Sequence, residues 1–219
     1  MFLAATVSLI AALPLIQSAP VLEPDGGRDR PTLTELADRY CIGPDGDHRL
    51  TWHLAEQDGF TWLTADQFPN LRLISGAGNN LRGLEKNIDG VQIRVLTSAL
   101  SWSAPDDGQS YFRQCWISAS LYDSNHAERE MDALLGVRRF KSKNTWIYAW
   151  IPRIDGHRSA INRRTYRRQH LTLAREQGLR EVTLQHYQGG TFIGYRSPRD
   201  RDTYRLFDWA GPEPVAAPE

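Results

Sequence analysis

The stretch Tyr111-Phe112-Arg113-Gln114-Cys115-Trp116-Ile117-Ser118-Ala119 decides the fold class. Arg113, Cys115 and Ile117 fall on one side of an extended chain, and Phe112, Gln114 and Trp116 on the other. Upstream, Val91, Ile93 and Val95 alternate with Gln92 and Arg94, the pattern of a half-buried strand. The turn residues Pro105 to Gly108 lie between the two stretches, so together they predict an antiparallel hairpin.

Further downstream, Thr145-Trp146-Ile147-Tyr148-Ala149-Trp150-Ile151 is apolar on both faces and stops at Pro152. It predicts a central strand covered on both sides. The face carrying Trp146, Tyr148 and Trp150 reads as core beneath a helix; left open, it would be a stacking platform. Val182, Leu184 and His186 alternate with Thr183 and Gln185, Gln188-Gly189-Gly190 makes a turn, and Thr191 to Tyr195 returns. Leu71, Leu73 and Ile74 suggest a further short strand, followed by the loop Gly76-Ala77-Gly78-Asn79-Asn80.

Four helices fit around these strands. Thr32 or Thr34 caps the first, which ends at Tyr40 beside Cys41. Asp47 caps the second, which runs to about Asp58; Gly59 takes the left-handed position and Phe60 folds back on it. Ser124 or Asn125 caps the third, with Ala127, Met131, Leu134 and Leu135 on one side and Gly136 at its end. The fourth candidate spans Ser159 to Gln177. The expected fold is therefore α+β: an antiparallel sheet of about five to six strands with three to four helices packed on it, in one globular domain over residues 32–206. A helix, a glycine and two strands recur, first around Asp47 to Ala119 and again around Ser124 to Tyr187, which suggests a duplicated unit.

Residues 1–19 are uncharged and mostly apolar, and are too short to span a bilayer comfortably; they read as a cleaved signal peptide. Residues 20–31 read as a flexible linker, and residues 207–219, ending Pro-Glu-Pro-Val-Ala-Ala-Pro-Glu, as a disordered tail. Export, to the periplasm or the extracellular space, gives the two cysteines a meaning: in an oxidising compartment Cys41 and Cys115 most simply form one disulfide.

The net charge is zero, but it is unevenly spread. Pro20 to Gly136 carries 10 Lys+Arg against 18 Asp+Glu, a net of −8; Val137 to Leu206 carries 16 against 5, a net of +11. The basic excess peaks at His157-Arg158-Ser159-Ala160-Ile161-Asn162-Arg163-Arg164-Thr165-Tyr166-Arg167-Arg168-Gln169-His170. On a helix, Arg163 with Arg167 and Arg164 with Arg168 are i, i+4 pairs spaced to grip a multiply charged anion. Two readings compete. The arginines are either a solvated face paired with the acidic N-terminal half, or a surface for an anionic partner such as a lipid head group, an acidic glycan or an acidic protein. The inferred compartment argues against nucleic acid.

Catalytic and metal-binding signatures are lacking. There is no GxSxG, SxxK, HExxH or HxH, no Walker A loop and no GxGxxG. Asp45-Gly46-Asp47 begins like a calcium loop without its later ligands, so no metal or cofactor is expected. The leading expectation is an exported, non-catalytic, envelope-associated or binding protein that uses the basic helix. The alternative is a secreted or periplasmic hydrolase of cell-envelope material, with His157, His170 or His186 converging on an acid in a cleft.

Overall fold

The computed structural model describes residues 31–64, 67, 81–104, 108–120, 124–187 and 190–203. The expected signal segment, all of the linker but Pro31, the strand at Leu71 to Ile74, the loop at Gly76 to Asn80 and the tail lie outside them.

The chain is α+β, and its strands form one antiparallel sheet. They are β1 (Thr61–Trp62), β2 (Arg82–Ile88), β3 (Val91–Ala104), β4 (Gly108–Ser120), β5 (Phe140–Ser142), β6 (Thr145–Pro152), β7 (Arg158–Ala160), β8 (Arg180–Tyr187) and β9 (Gly190–Arg199). The sheet order is β1-β2-β3-β4-β9-β8-β6-β5, with β7 also paired to β6. Nine strands among the described residues exceed the expected five to six. The additional ones have physical reasons for escaping notice. In β2, only Leu84 and Ile88 are strongly apolar, and Gly83 interrupts the pattern. β5 and β7 span three residues each and exist through their pairing with β6.

The predicted hairpin is present and longer than expected, with Val95 opposite Ile117 and Leu100 opposite Phe112. Its two faces carry different cores. On the first face, Cys115, Ile117, Val95, Tyr148, Trp150 and Val182 pack beneath the helices α1 (Leu33–Ala37), α2 (His48–Gln57) and α3 (Ser124–Leu135). On the second, Phe112, Ile147 and Ala149 pack beneath α4 (Arg163–Gln177). β6 is thus covered on both sides, as its sequence requires. Trp146 and Tyr148 reach α3, where Trp146 Nε1 donates to Glu128 Oε1 at 2.5 Å and Tyr148 Oη to Asp132 Oδ1 at 3.0 Å. The aromatic face is core.

Local sequence explains the helix ends. Thr32 and Glu35 form a reciprocal capping box at α1, which runs into a π-helical stretch (Asp38–Ile42). Asp47 caps α2; at its other end Phe60 N donates to Ala55 O and Gly59 N to Glu56 O, the Schellman arrangement, with Gly59 at φ 80°. Cys41, at the end of the π-helical stretch, is bonded to Cys115 in β4 across a Cα–Cα distance of 5.3 Å. Both sulfurs are buried, so the bond ties the N-terminal helices to the middle of the sheet. Among the described residues no helix is long and apolar enough to cross a membrane.

The topology repeats. α2 is followed by β1, β2, β3 and β4 as consecutive neighbours; α3 is followed by β5, β6, β8 and β9 in the same way. The halves meet at β4 and β9. In the first half the middle strands β2 and β3 are joined by Asp89-Gly90, both at positive φ (50° and 80°), a tight hairpin turn. In the second half the equivalent connection, between β6 and β8, carries β7 and the whole of α4.

Candidate functional site

Helix α4 begins later than its sequence suggested, because Arg158 to Ala160 pair with β6 as β7. Asn162 caps it, accepting from Thr165 N at 2.9 Å. Gly178 at φ 67° ends it, where Gly178 N and Leu179 N bond to Ala174 O and Leu173 O. Leu171, Leu173 and Ala174 are buried on the sheet, and Tyr166 and His170 are half-buried.

Arg163, Arg164, Arg167 and Arg168 are all exposed. Among the described residues none of the four has an ion pair. Their placement works against the helix. Arg163 and Arg164 occupy the first turn, at the positive end of the helix dipole, where no acidic residue stands. The two i, i+4 pairs add like-charge repulsion.

Among the described residues, several acids of the N-terminal half are engaged elsewhere. Asp58 holds Arg39 at 2.6 Å, and Glu85 holds Arg94 at 3.2 Å. Glu128 and Asp132 hold Arg139 at 3.1 and 2.8 Å. Asp45, at φ 49° in its turn, takes both arms of the Arg180 fork at 2.7 and 2.8 Å and accepts from Tyr195 Oη. Its backbone oxygen accepts from Arg199, which anchors that side chain to the same turn. Burial alone would raise the Asp45 carboxyl; the hydrogen bonds from Arg180 and Tyr195 and the charges of Arg180 and Arg199 outweigh it and hold it below the usual carboxylate range.

The helix repeat sorts the arginines into two stripes. Arg163, Arg167 and His170 follow i, i+4 and i+7. At the end of that stripe the His170 ring meets Trp102 of β3, with centroids 5.9 Å apart and planes at 76°. Arg164, Arg168 and Arg175 follow i, i+4 and i+11. That stripe ends at a cleft of about 450 Å³ lined by Arg175, Arg180, Arg199, Arg201, Asp200 and Tyr111, among others. An ideal Cβ at Gly108 would lie 3.3 Å from the Arg175 guanidinium, so the end of the β3–β4 hairpin lies against this stretch of α4.

The histidines do not converge. His186 Nε2 lies 3.4 Å from Glu128, His170 stacks on Tyr166 at 5.1 Å, and His157 is exposed between β6 and β7. His48 is buried, with Nε2–H donating to Gln114 O at 3.0 Å. Glu128 and Asp132, an i, i+4 acid pair, share Arg139. Among the described residues no group of three or more His, Cys, Asp or Glu is placed to hold a metal ion.

Trp102 and Arg175 were not singled out from sequence. The period-two run Leu96, Ser98, Leu100, Trp102 carries the signal for the first, and the i+7 step from Arg168 the signal for the second. Compared with known protein families, curated proteins and solved structures, the chain matches none.

Proposed function

We propose that this chain is an exported, non-catalytic binding protein that engages an anionic partner through α4. The observation that supports the reading is the unneutralised charge of Arg163, Arg164, Arg167 and Arg168. The ion-paired acids described in the N-terminal half are held by arginines outside α4, and the helix keeps four arginines in positions that weaken it. A local arrangement that costs stability without a compensating contact is the usual mark of a site kept for a partner. The topological repeat points the same way: α4 sits in a connection that the first half of the sheet closes with two residues. Export is supported by the uncharged N-terminal segment and by the Cys41–Cys115 bond.

Retention on heparin and on anionic vesicles tests the reading. The wild type should elute at clearly higher salt than an Arg163→Ala/Arg164→Ala/Arg167→Ala/Arg168→Ala variant, since each lost arginine removes a counterion-releasing contact. Equal elution on both supports would end the proposal. N-terminal sequencing of the secreted chain checks the export half.

A further inference from the structure

Trp102 is one of three large apolar side chains exposed among the described residues, at 46%. It is nonetheless held in place. The Arg196 guanidinium carbon lies 5.5 Å from its ring centroid, and the His170 ring meets it edge to face. His170 stacks on Tyr166, and Tyr166 Oη donates to Glu181. Glu181 pairs with Arg196 at 3.6 Å, which closes the circuit. Contacts from α4 and β9, themselves tied together through Glu181 of β8, thus fix a half-exposed indole of β3. Such fixation removes the ordering cost that a mobile side chain would carry into binding.

From this platform the first arginine stripe leads away along α4. Arg167 and Arg163 lie about 4.5 and 10.5 Å from His170 along the axis, at 1.5 Å per residue. A ligand that fits must offer one ring face to the indole and anionic groups in line with it. We infer that the stripe and Trp102 form one binding track for a linear acidic polysaccharide bearing carboxylates or sulfates. One sugar ring lays its C–H face on Trp102, and the anionic groups of the following rings meet the Arg167 and Arg163 forks. This rests on the proposed function and narrows it.

The alternatives fit less of the surface. A membrane-surface helix must offer its apolar side to lipid, and here Leu171, Leu173 and Ala174 are buried on the sheet. A single-stranded nucleic acid track stacks successive bases on several aromatics, and this stripe ends on one exposed ring. The Cys41–Cys115 bond also fits the proposed export, away from most nucleic acid.

The test is calorimetric titration of the purified protein at low salt with oligogalacturonate, sulfated heparin oligosaccharide and oligo-dT of matched charge. Trp102→Ala should weaken binding of one of the glycans about tenfold, and Trp102→Phe much less. Arg163→Ala/Arg167→Ala should weaken it at least as much and flatten the salt dependence, whereas Arg164→Ala/Arg168→Ala should do less. Circular dichroism establishes that each variant is folded; should Trp102→Ala fail to fold, the comparison rests on Trp102→Phe and the two arginine doubles. If both Trp102 variants bind as wild type while loss of all four arginines abolishes binding, the track is refuted and the basic helix stands. Tighter binding of oligo-dT than of either glycan overturns the ligand class. If the variant lacking all four arginines binds as wild type, the parent reading falls with the inference.

Discussion

Replacing His48 should remove an acid sensitivity built into the core. His48 is 3% exposed and lies between α2 and β4, its Nε2–H donating to Gln114 O at 3.0 Å. Burial, together with the nearby Arg113 and Arg199 charges, pushes its pKa from 6.5 down to about 3, although the bond to Gln114 O opposes the shift. The folded value is depressed, so the associated stability is full above the unfolded value and is lost as pH falls below it. Between pH 7 and pH 5 the unfolded chain takes up a proton that the folded chain refuses, which costs about 2 kcal/mol at about 1.4 kcal/mol per pH unit. With a urea m-value of about 2 kcal/mol/M, the midpoint should fall by about 1 M over that range. His48→Gln keeps an N–H for Gln114 O and does not titrate. Its midpoint should start lower at pH 7 and fall by about 1 M less than that of the wild type by pH 5. The difference between the two proteins isolates His48 from the other histidines, and Asp45 and Asp58, both held below the usual range by their arginines, stay ionised throughout. Parallel pH profiles would refute the reasoning, because they would mean that His48 is protonated as readily in the fold as outside it.

Gly194→Ala should destabilise by about 1–3 kcal/mol, the range for forcing atoms into a filled interior. Its new Cβ would lie 2.6 Å from Trp116 Cδ1 and 2.8 Å from Thr183 Oγ1 on neighbouring strands; an unchanged melting temperature would show that Trp116 can move aside freely. Removing the disulfide with Cys41→Ala/Cys115→Ala frees a loop of sequence separation 74. Chain entropy alone then predicts a loss of about 4 kcal/mol in denaturant unfolding. A loss below about 1 kcal/mol would mean that the helices hold the sheet without the bond.

Several elements could be read from sequence because their signals are local. Asp47 with the Gly59-Phe60 pair marked α2 at both ends. The alternation from Tyr111 to Ala119 and the apolar run from Thr145 to Ile151 gave the strands that organise both faces. What escaped depends on partners far along the chain. Asp45 sits in a turn that any Gly-Pro-Asp-Gly stretch announces, yet its carboxylate binds Arg180 across 135 residues. By sequence Arg199-Asp200-Arg201-Asp202 reads as a self-neutralising surface run, yet Arg199 reaches back to the same turn. The four arginines of α4 were legible as a basic helix. Which cations the N-terminal acids would choose was not, since that choice is made by the register of the strands rather than by the spacing of the charges.

That choice bears on how the arginines of α4 are understood. Had charge balance alone ordered this chain, a net of −8 in one half and +11 in the other would draw the most basic segment onto the acids. The N-terminal acids described in pairs with arginines find them outside α4: Asp58 meets Arg39, Glu85 meets Arg94, Glu128 and Asp132 share Arg139, and Asp45 meets both Arg180 and Arg199. Except for the exposed Arg39–Asp58 pair, these pairs involve strand residues or lie against the sheet, where partial burial strengthens them relative to a pair in water. α4 lies on the opposite face from α1, α2 and α3, so the sheet itself stands between its arginines and most of those acids. The charge on α4 is therefore a consequence of topology. A connection that the first half closes with Asp89-Gly90 is here extended into a helix on the far face. Leu171, Leu173 and Ala174 complete the second core, and the four arginines of the helix's first half stay exposed to water. A variant joining β6 directly to β8 with Asp-Gly would separate these two roles. It should uncover Phe112, Ile147 and Ala149 and lose stability, while losing anion retention altogether. The four-arginine variant should lose retention alone.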